Sequence, residues 1–201
     1  MQCPVCYQAL PTQSGFCQHC GFQLDDASSA FGAVPALDPE ITDMAGVLGA
    51  SGQRRVRAAV KRAQRTFPQL KFSAVVARLP DDSPLRAITF WIFNLGRLST
   101  PLEAGGACRL VLFLVDTAEQ RASCMVGYGL EPFFPEQNLA RVAQAAVPAM
   151  QKEDYAKAVI AMIARAVEEL TTVASALPQE AMDRAKAASK GHEQTEDAFV
   201  Y

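Results

Sequence analysis

The stretch CRLVLFLVD, Cys108–Asp116, runs apolar from Leu110 to Val115 without alternation. A strand with one face in water alternates apolar and polar residues, so an unbroken run marks a central strand covered on both faces. The run is also far short of the ~20 residues a membrane helix needs. Working outward, RASCMVGYG, Arg121–Gly129, reads as a second strand, close enough to pair with the first through a short turn. Upstream, KFSAVVARL, Lys71–Leu79, is a β-branched run with strand character.

Helical spacing fills the intervals. GQRRVRAAVKRAQRTF, Gly52–Phe67, places Val56, Ala59, Val60, Ala63 and Phe67 on one face; Ser51 reads as its N-cap and Pro68 ends it. A second helix runs from Pro84 to about Leu95, with Leu85, Ile88, Trp91 and Ile92 inward. Two long helices follow the last strand, Glu136–Met150 and Asp154–Val173, the latter with Tyr155, Ala158, Val159, Met162, Ile163, Ala166 and Leu170 in register. A polar tail with its own short helix, Pro178–Ser189, completes the chain. The order α-β-α-β-β-α-α implies an α/β protein, an αβα sandwich with a mixed central sheet.

The N-terminus carries different chemistry. Cys3 and Cys6 form one CxxC pair and Cys17 and Cys20 another, within MQCPVCYQALPTQSGFCQHCGFQL. Two such turns facing each other make a tetrahedral four-sulfur site. Two redox motifs or an iron site are the rival readings, and the ligand set favours Zn2+. Gly21 follows the second pair, where the turn needs positive φ, while His19 sits inside that pair as an exposed bystander. The segment is too short to build a core, so metal binding supplies its folding energy, ~10–16 kcal/mol in comparable zinc peptides. The pattern resembles the small zinc ribbons at the start of many bacterial proteins and covers residues 1–24.

Residues 25–40, DDASSAFGAVPALDPE, read as a linker with acidic ends; Phe31, Val34 and Leu37 offer it a way to dock on the main domain. The main domain is expected over 41–173 and the tail over 174–201. A net charge of −2 over 201 residues gives no global drive toward nucleic acid or acidic membranes. No Lys or Arg precedes Arg54, which disfavours phosphate contacts by the ribbon. Absence of a basic segment and apolar stretch ahead of Cys3 leads us to expect a cytoplasmic protein with no membrane partner. In that reducing compartment Cys108 and Cys124 are expected as buried free thiols.

ITDMAGVL, Ile41–Leu48, resembles the Val-x-Asp-x-Ala-x-x-Leu opening of TPM domains. MVGYGLEPFFPE, Met125–Glu136, resembles that family's most recognisable run, and VPAMQKEDYAKAVIAMIARAVEEL, Val147–Leu170, its final helix pair. The resemblance spans about residues 38–173 and implies an αβα sandwich. Some members are described as acid phosphatases, some bind calcium near the strand C-terminal ends, and others are treated as assembly factors. It implies Asp43, Asp116, Glu131 and Glu136 as candidates for a second ion site, for Ca2+. The family's Lys-Asp-Asn-Gly-Val-Leu run entering the central strand is replaced here by Ala104-Gly105-Gly106-Ala107-Cys108-Arg109. A hard cation wants six to eight oxygen ligands, so losing the Asp-Asn pair weakens such a site. Gly127, Tyr128 and Gly129 read as turn residues around a packed ring.

The expected function is therefore a protein-interaction or assembly module, with a metal-dependent acid phosphatase as the alternative. The basic face of the helix Gly52–Phe67, with Arg54, Arg57, Lys61 and Arg62, is the expected protein-docking surface, and the acidic linker is expected to fold back over it.

Overall fold

The structure, a computed structural model, describes residues 3–6, 8, 16–98 and 109–196, with side chains as far as residue 176 apart from residue 24. Four strands, β1 (Ile41–Asp43), β2 (Lys71–Ala77), β3 (Leu110–Asp116) and β4 (Arg121–Val126), form one sheet in that order. The first three are parallel and β4 runs antiparallel to β3. The helices are α1 (Leu24–Phe31), α2 (Gly49–Thr66), α3 (Leu85–Leu95), α4 (Glu136–Gln144), α5 (Val147–Met150) and α6 (Tyr155–Glu196).

β3 is buried along its whole length, as its unbroken apolar run requires. Leu110, Leu112 and Leu114 enter a cluster with Ile88, Trp91 and Ile92 of α3. Val111, Phe113 and Val115 enter the opposite cluster with Val56 and Val60 of α2 and Val159 and Met162 of α6. The register places Ile41, Ala74, Phe113 and Cys124 side by side across the sheet, all facing the second layer. The fold is thus an αβα sandwich with a mixed sheet. The β1–β2 and β2–β3 connections step the same way across the sheet, yet α2 and α3 cover opposite faces. The two connections therefore have opposite hands, and one departs from the usual right-handed crossover. As a result α3 approaches β4 on one face while α4 approaches it on the other.

Several boundaries differ from the sequence reading. α2 begins at Gly49, ahead of Ser51, because the Asp43 carboxylate accepts the Leu48 and Val47 amides at 2.9 and 3.2 Å and organises the entry. The span 136–150 is two helices because Pro148 has no N–H to give the Gln144 carbonyl and its ring crowds that turn. The last helix continues through the expected tail to Glu196, carried past Pro178 and Gly191 by a composition otherwise rich in Ala, Glu and Lys. Asp154 caps its start, its Oδ1 accepting the Lys157 amide at 2.9 Å. α2 and α6 approach closely where Gly52 meets Ala156; a Cβ at Gly52 would lie 3.2 Å from that methyl.

The expected linker docks on the main domain, with Phe31, Val34 and Leu37 against the α3–β3 cluster. It holds α1, and it completes the thinner helix layer. Phe22 packs edge-on to Phe90 at 5.8 Å and Phe31 tilts against Trp91 at 5.6 Å, with Ala27 buried beneath. Leu37 reaches Gly96 so closely that a Cβ there would sit 2.7 Å from its Cδ1 and press on the Ile92 carbonyl. Gly96→Ala should therefore cost about 1–3 kcal/mol through overpacking, read as a lower urea midpoint; an unchanged midpoint would show that Leu37 yields freely. At the linker's end, Asp38 accepts Arg57 Nη2 at 3.0 Å and the Glu40 and Ile41 amides at 2.8 and 3.1 Å. Burial pushes the Asp38 carboxyl up, but the Arg57 guanidinium and those amides outweigh it and hold it below its ordinary value.

Candidate functional site

Both CxxC turns are built alike. The Cys3 amide donates to the Gln8 carbonyl and the Cys17 amide to the Phe22 carbonyl, each at 2.8 Å. The second turn closes through the Gly21 amide to the Cys17 carbonyl at 2.7 Å, and Gly21 has φ of +76°, as expected for that position. A Phe16–Gln23 bridge pins the strands below it. Tyr7, which follows the first pair, lies outside the described residues.

These turns bring Cys3, Cys6, Cys17 and Cys20 together, their sulfurs all within 4.8 Å of one another. Cys3 and Cys20 are 3.6 Å apart and Cys6 and Cys17 3.5 Å. Tetrahedral Zn–S bonds of ~2.3 Å require edges of ~3.8 Å, so the cluster is consistent with a zinc site. Burial pushes the Cys17 thiol up, but the Cys20 and His19 amides more than offset it and bring it to about 6. The Phe22 amide lowers Cys20, yet desolvation and the neighbouring sulfurs win and push it up to about 12. A cation at the centre relieves this crowding of sulfurs. His19 is exposed and takes no part in the cluster.

The carboxylate set does not assemble. Asp116 is fully buried at the end of β3, accepting the Leu79 amide at 3.2 Å, the Ala118 amide at 3.0 Å and Arg121 Nη2 at 3.0 Å. Asp43 lies at the same end of the sheet but is separated from it by β2, two strand spacings or ~10 Å away. Glu131 and Glu136 come after β4, which runs away from Asp116, and both line the cleft beside that strand, where Glu136 pairs with Arg86. Among the described residues, no metal-ligating group includes any of the four. The loop that departs from the family pattern, residues 104–108, lies outside the described residues, as does Cys108. Tyr128 is about half exposed, at 49%.

On the basic helix, Arg57 is held by Asp38 and Glu40, Lys61 lies 3.9 Å from Glu40, and Arg55 pairs with Asp154 at 3.3 Å. The acidic end of the linker thus does meet the basic face. Arg54 and Arg62 are exposed.

A cleft of about 500 Å³ runs beside β4, with Arg86 and Phe90 on one side, Leu139 on the other and Cys124 within. Arg86 and Glu136 pair through two bonds, 2.6 and 3.1 Å, joining α3 to α4. Burial, and secondarily Glu136, push the Cys124 thiol far up, so it stays protonated and packs as a small hydrophobe. Sequence reasoning missed this cleft. It follows from β4 having a strand on one side alone, which no stretch of the sequence records.

The family model for the TPM domain matches residues 41–169. The chain belongs to the TPM domain family. Solved structures share this TPM fold. The N-terminal domain of a protein from P. gingivalis is 19% identical, with 68% of this chain and 93% of that one covered and a TM-score of 0.50. The N-terminal domain of cg2496 from Corynebacterium glutamicum is 17% identical, covering 68% and 83%, also at 0.50. BA42 from Bizionia argentinensis is 13% identical, covering 63% and 83%, at 0.51. No curated protein matches the TPM chain. Among the described residues, no helix is long and apolar enough to cross a membrane.

Proposed function

We propose that this TPM protein is a cytoplasmic protein-interaction module whose N-terminal turns are structured by Zn2+. The observation that supports this most is the state of Asp116. A carboxylate fully buried, with two amides on Oδ1 and a guanidinium on Oδ2, is a junction in the fold, three of its roughly four lone pairs already taken. What remains accessible is the cleft beside β4 and the cationic surface of Arg54 and Arg62. Exposed ion pairs of the kind that tie Arg57 to the linker contribute only ~0–1 kcal/mol each and weaken with salt, so an acidic partner competes for that face readily.

The test has two arms. The purified protein should turn over aryl phosphates no faster than buffer, with or without calcium; turnover abolished by Asp43→Ala or Glu131→Ala would establish the phosphatase instead. Affinity capture at low salt should recover a specific protein whose retention falls with Arg54→Glu and Arg62→Glu together. Recovery of nucleic acid alone would sink the protein-docking reading.

A further inference from the structure

Pairing with β3 uses only half of the backbone groups of β4. The Gly127 amide donates to the Leu110 carbonyl at 2.9 Å, which sets the phase of the ladder. In the register Leu112↔Met125 and Leu114↔Ser123, those residues exchange the ladder bonds. Ala122, Cys124 and Val126 stand opposite Val115, Phe113 and Val111 in the alternate, non-bonded pairs. Their N–H and C=O groups point away from the sheet, at its open edge, and no described backbone group bonds to them. Edge strands are ordinarily blunted by Lys, Pro or a bulge; Ala122–Val126 carries no Lys or Pro and pairs without a bulge.

This edge lies at the bottom of the cleft. Residues 122–126 all line it, a length of ~17 Å at strand rise. α3 and α4 stand on either side, so Phe90 and Leu139 offer apolar pockets flanking the strand. The Arg86–Glu136 ion pair joins the two walls across the cleft, so an entering strand displaces it, and a cation on the occupant takes the place of Arg86 beside Glu136.

We propose that the β4 edge takes an extended peptide segment of a partner protein as a fifth strand. Alternate apolar side chains of the peptide enter the pockets, and a Lys or Arg lies beside Glu136. The proposal rests on the interaction-module reading above and names the partner's class. A row of outward donors and acceptors at strand spacing is matched by another backbone, and alternate pockets add the selectivity. A second copy of the chain is a poorer occupant, because its own α3 and α4 flank its β4 and collide with the walls.

The probe is a panel of capped heptapeptides alternating Val or Phe with Thr and ending in Lys, added to the full chain and followed by amide hydrogen exchange. A binding member should slow exchange at Ala122, Cys124 and Val126 while leaving Ser123 and Met125, already in the ladder, unchanged. Methylating alternate peptide nitrogens should weaken binding about tenfold in one phase and not in the other, the effect of losing a backbone hydrogen bond. Ala122→Pro removes one outward donor from an edge strand that tolerates proline there, and should weaken binding similarly with an unchanged melting curve. Binding that ignores both the methylation phase and Ala122→Pro would overturn strand addition while leaving the interaction module standing. So would protection by the protein alone at rising concentration, which points to a second copy, or a panel in which no member protects the edge. Failure of the affinity capture, by contrast, would strike the broader reading.

Discussion

Asp116→Ala should destabilise the TPM domain by about 2–4 kcal/mol, the cost of losing two amide hydrogen bonds and a partly exposed ion pair together. The change strips an acceptor from the Leu79 and Ala118 amides and leaves Arg121 with Glu119 as its remaining carboxylate, at 2.9 Å. Those amides lie just beyond β2 and β3, so the loss falls on two adjoining strand ends at once. Asp116→Asn keeps an acceptor but not the charge, and should cost about 1–3 kcal/mol. Urea titration reads both as lower midpoints with an unchanged slope. The sign of the Asn variant separates the junction from an ion site. Carboxylates gathered for a cation repel one another without it, so neutralising one would stabilise the protein. A midpoint above the parent's in Asp116→Asn, an advantage that calcium removes by raising the parent's own midpoint, would return Asp116 to ion chemistry.

Cys17→Ala should abolish metal binding outright. The parent should hold about one equivalent of zinc by elemental analysis, as a closed four-sulfur site does. With three sulfurs left and Cys17 the thiolate best supported by neighbouring amides, the variant should hold none after dialysis. The sheet should survive. Val111, Phe113 and Val115 pack against α2 and α6 and take nothing from the cysteine turns. The consequence should reach Phe22, whose carbonyl closes the second turn and whose ring meets Phe90 at the cleft. A variant that retains a full equivalent of zinc, or loses the sheet together with the metal, would show that the two parts are not organised as described.

The sandwich was legible because its strongest signals are local. Two-sided burial wrote the unbroken run of β3, and a helix face wrote Val56, Ala59, Val60 and Ala63 at helical spacing. The cysteine cluster was equally local, since the spacing itself makes each turn. The carboxylate set failed for a topological reason. Glu131 and Asp116 lie close in the chain, but the antiparallel strand between them runs away from Asp116 and leaves Glu131 at the cleft. α1 escaped notice because its buried contacts are few. Ala27 and Phe31, four residues apart, were the available trace of a packed face amid Asp and Ser. The open edge of β4 has no local signature, because whether a strand has one neighbour or two is decided by the rest of the chain.

Trp91 is the chain's single tryptophan, and it is buried beneath Phe31. The protein therefore carries one intrinsic fluorophore, placed at the seam between the N-terminal segment and the sheet layer. Emission from it reports that seam as well as the packing of α3 on β3. Lifting α1 away exposes the indole to water and reddens the spectrum while the stacked Phe72–Phe113 pair, silent at tryptophan excitation, stays in place. Detachment of the N-terminal segment and melting of the sandwich are thus optically separable in an unlabelled chain: the first by fluorescence, the second by the far-ultraviolet dichroism of the sheet and helices.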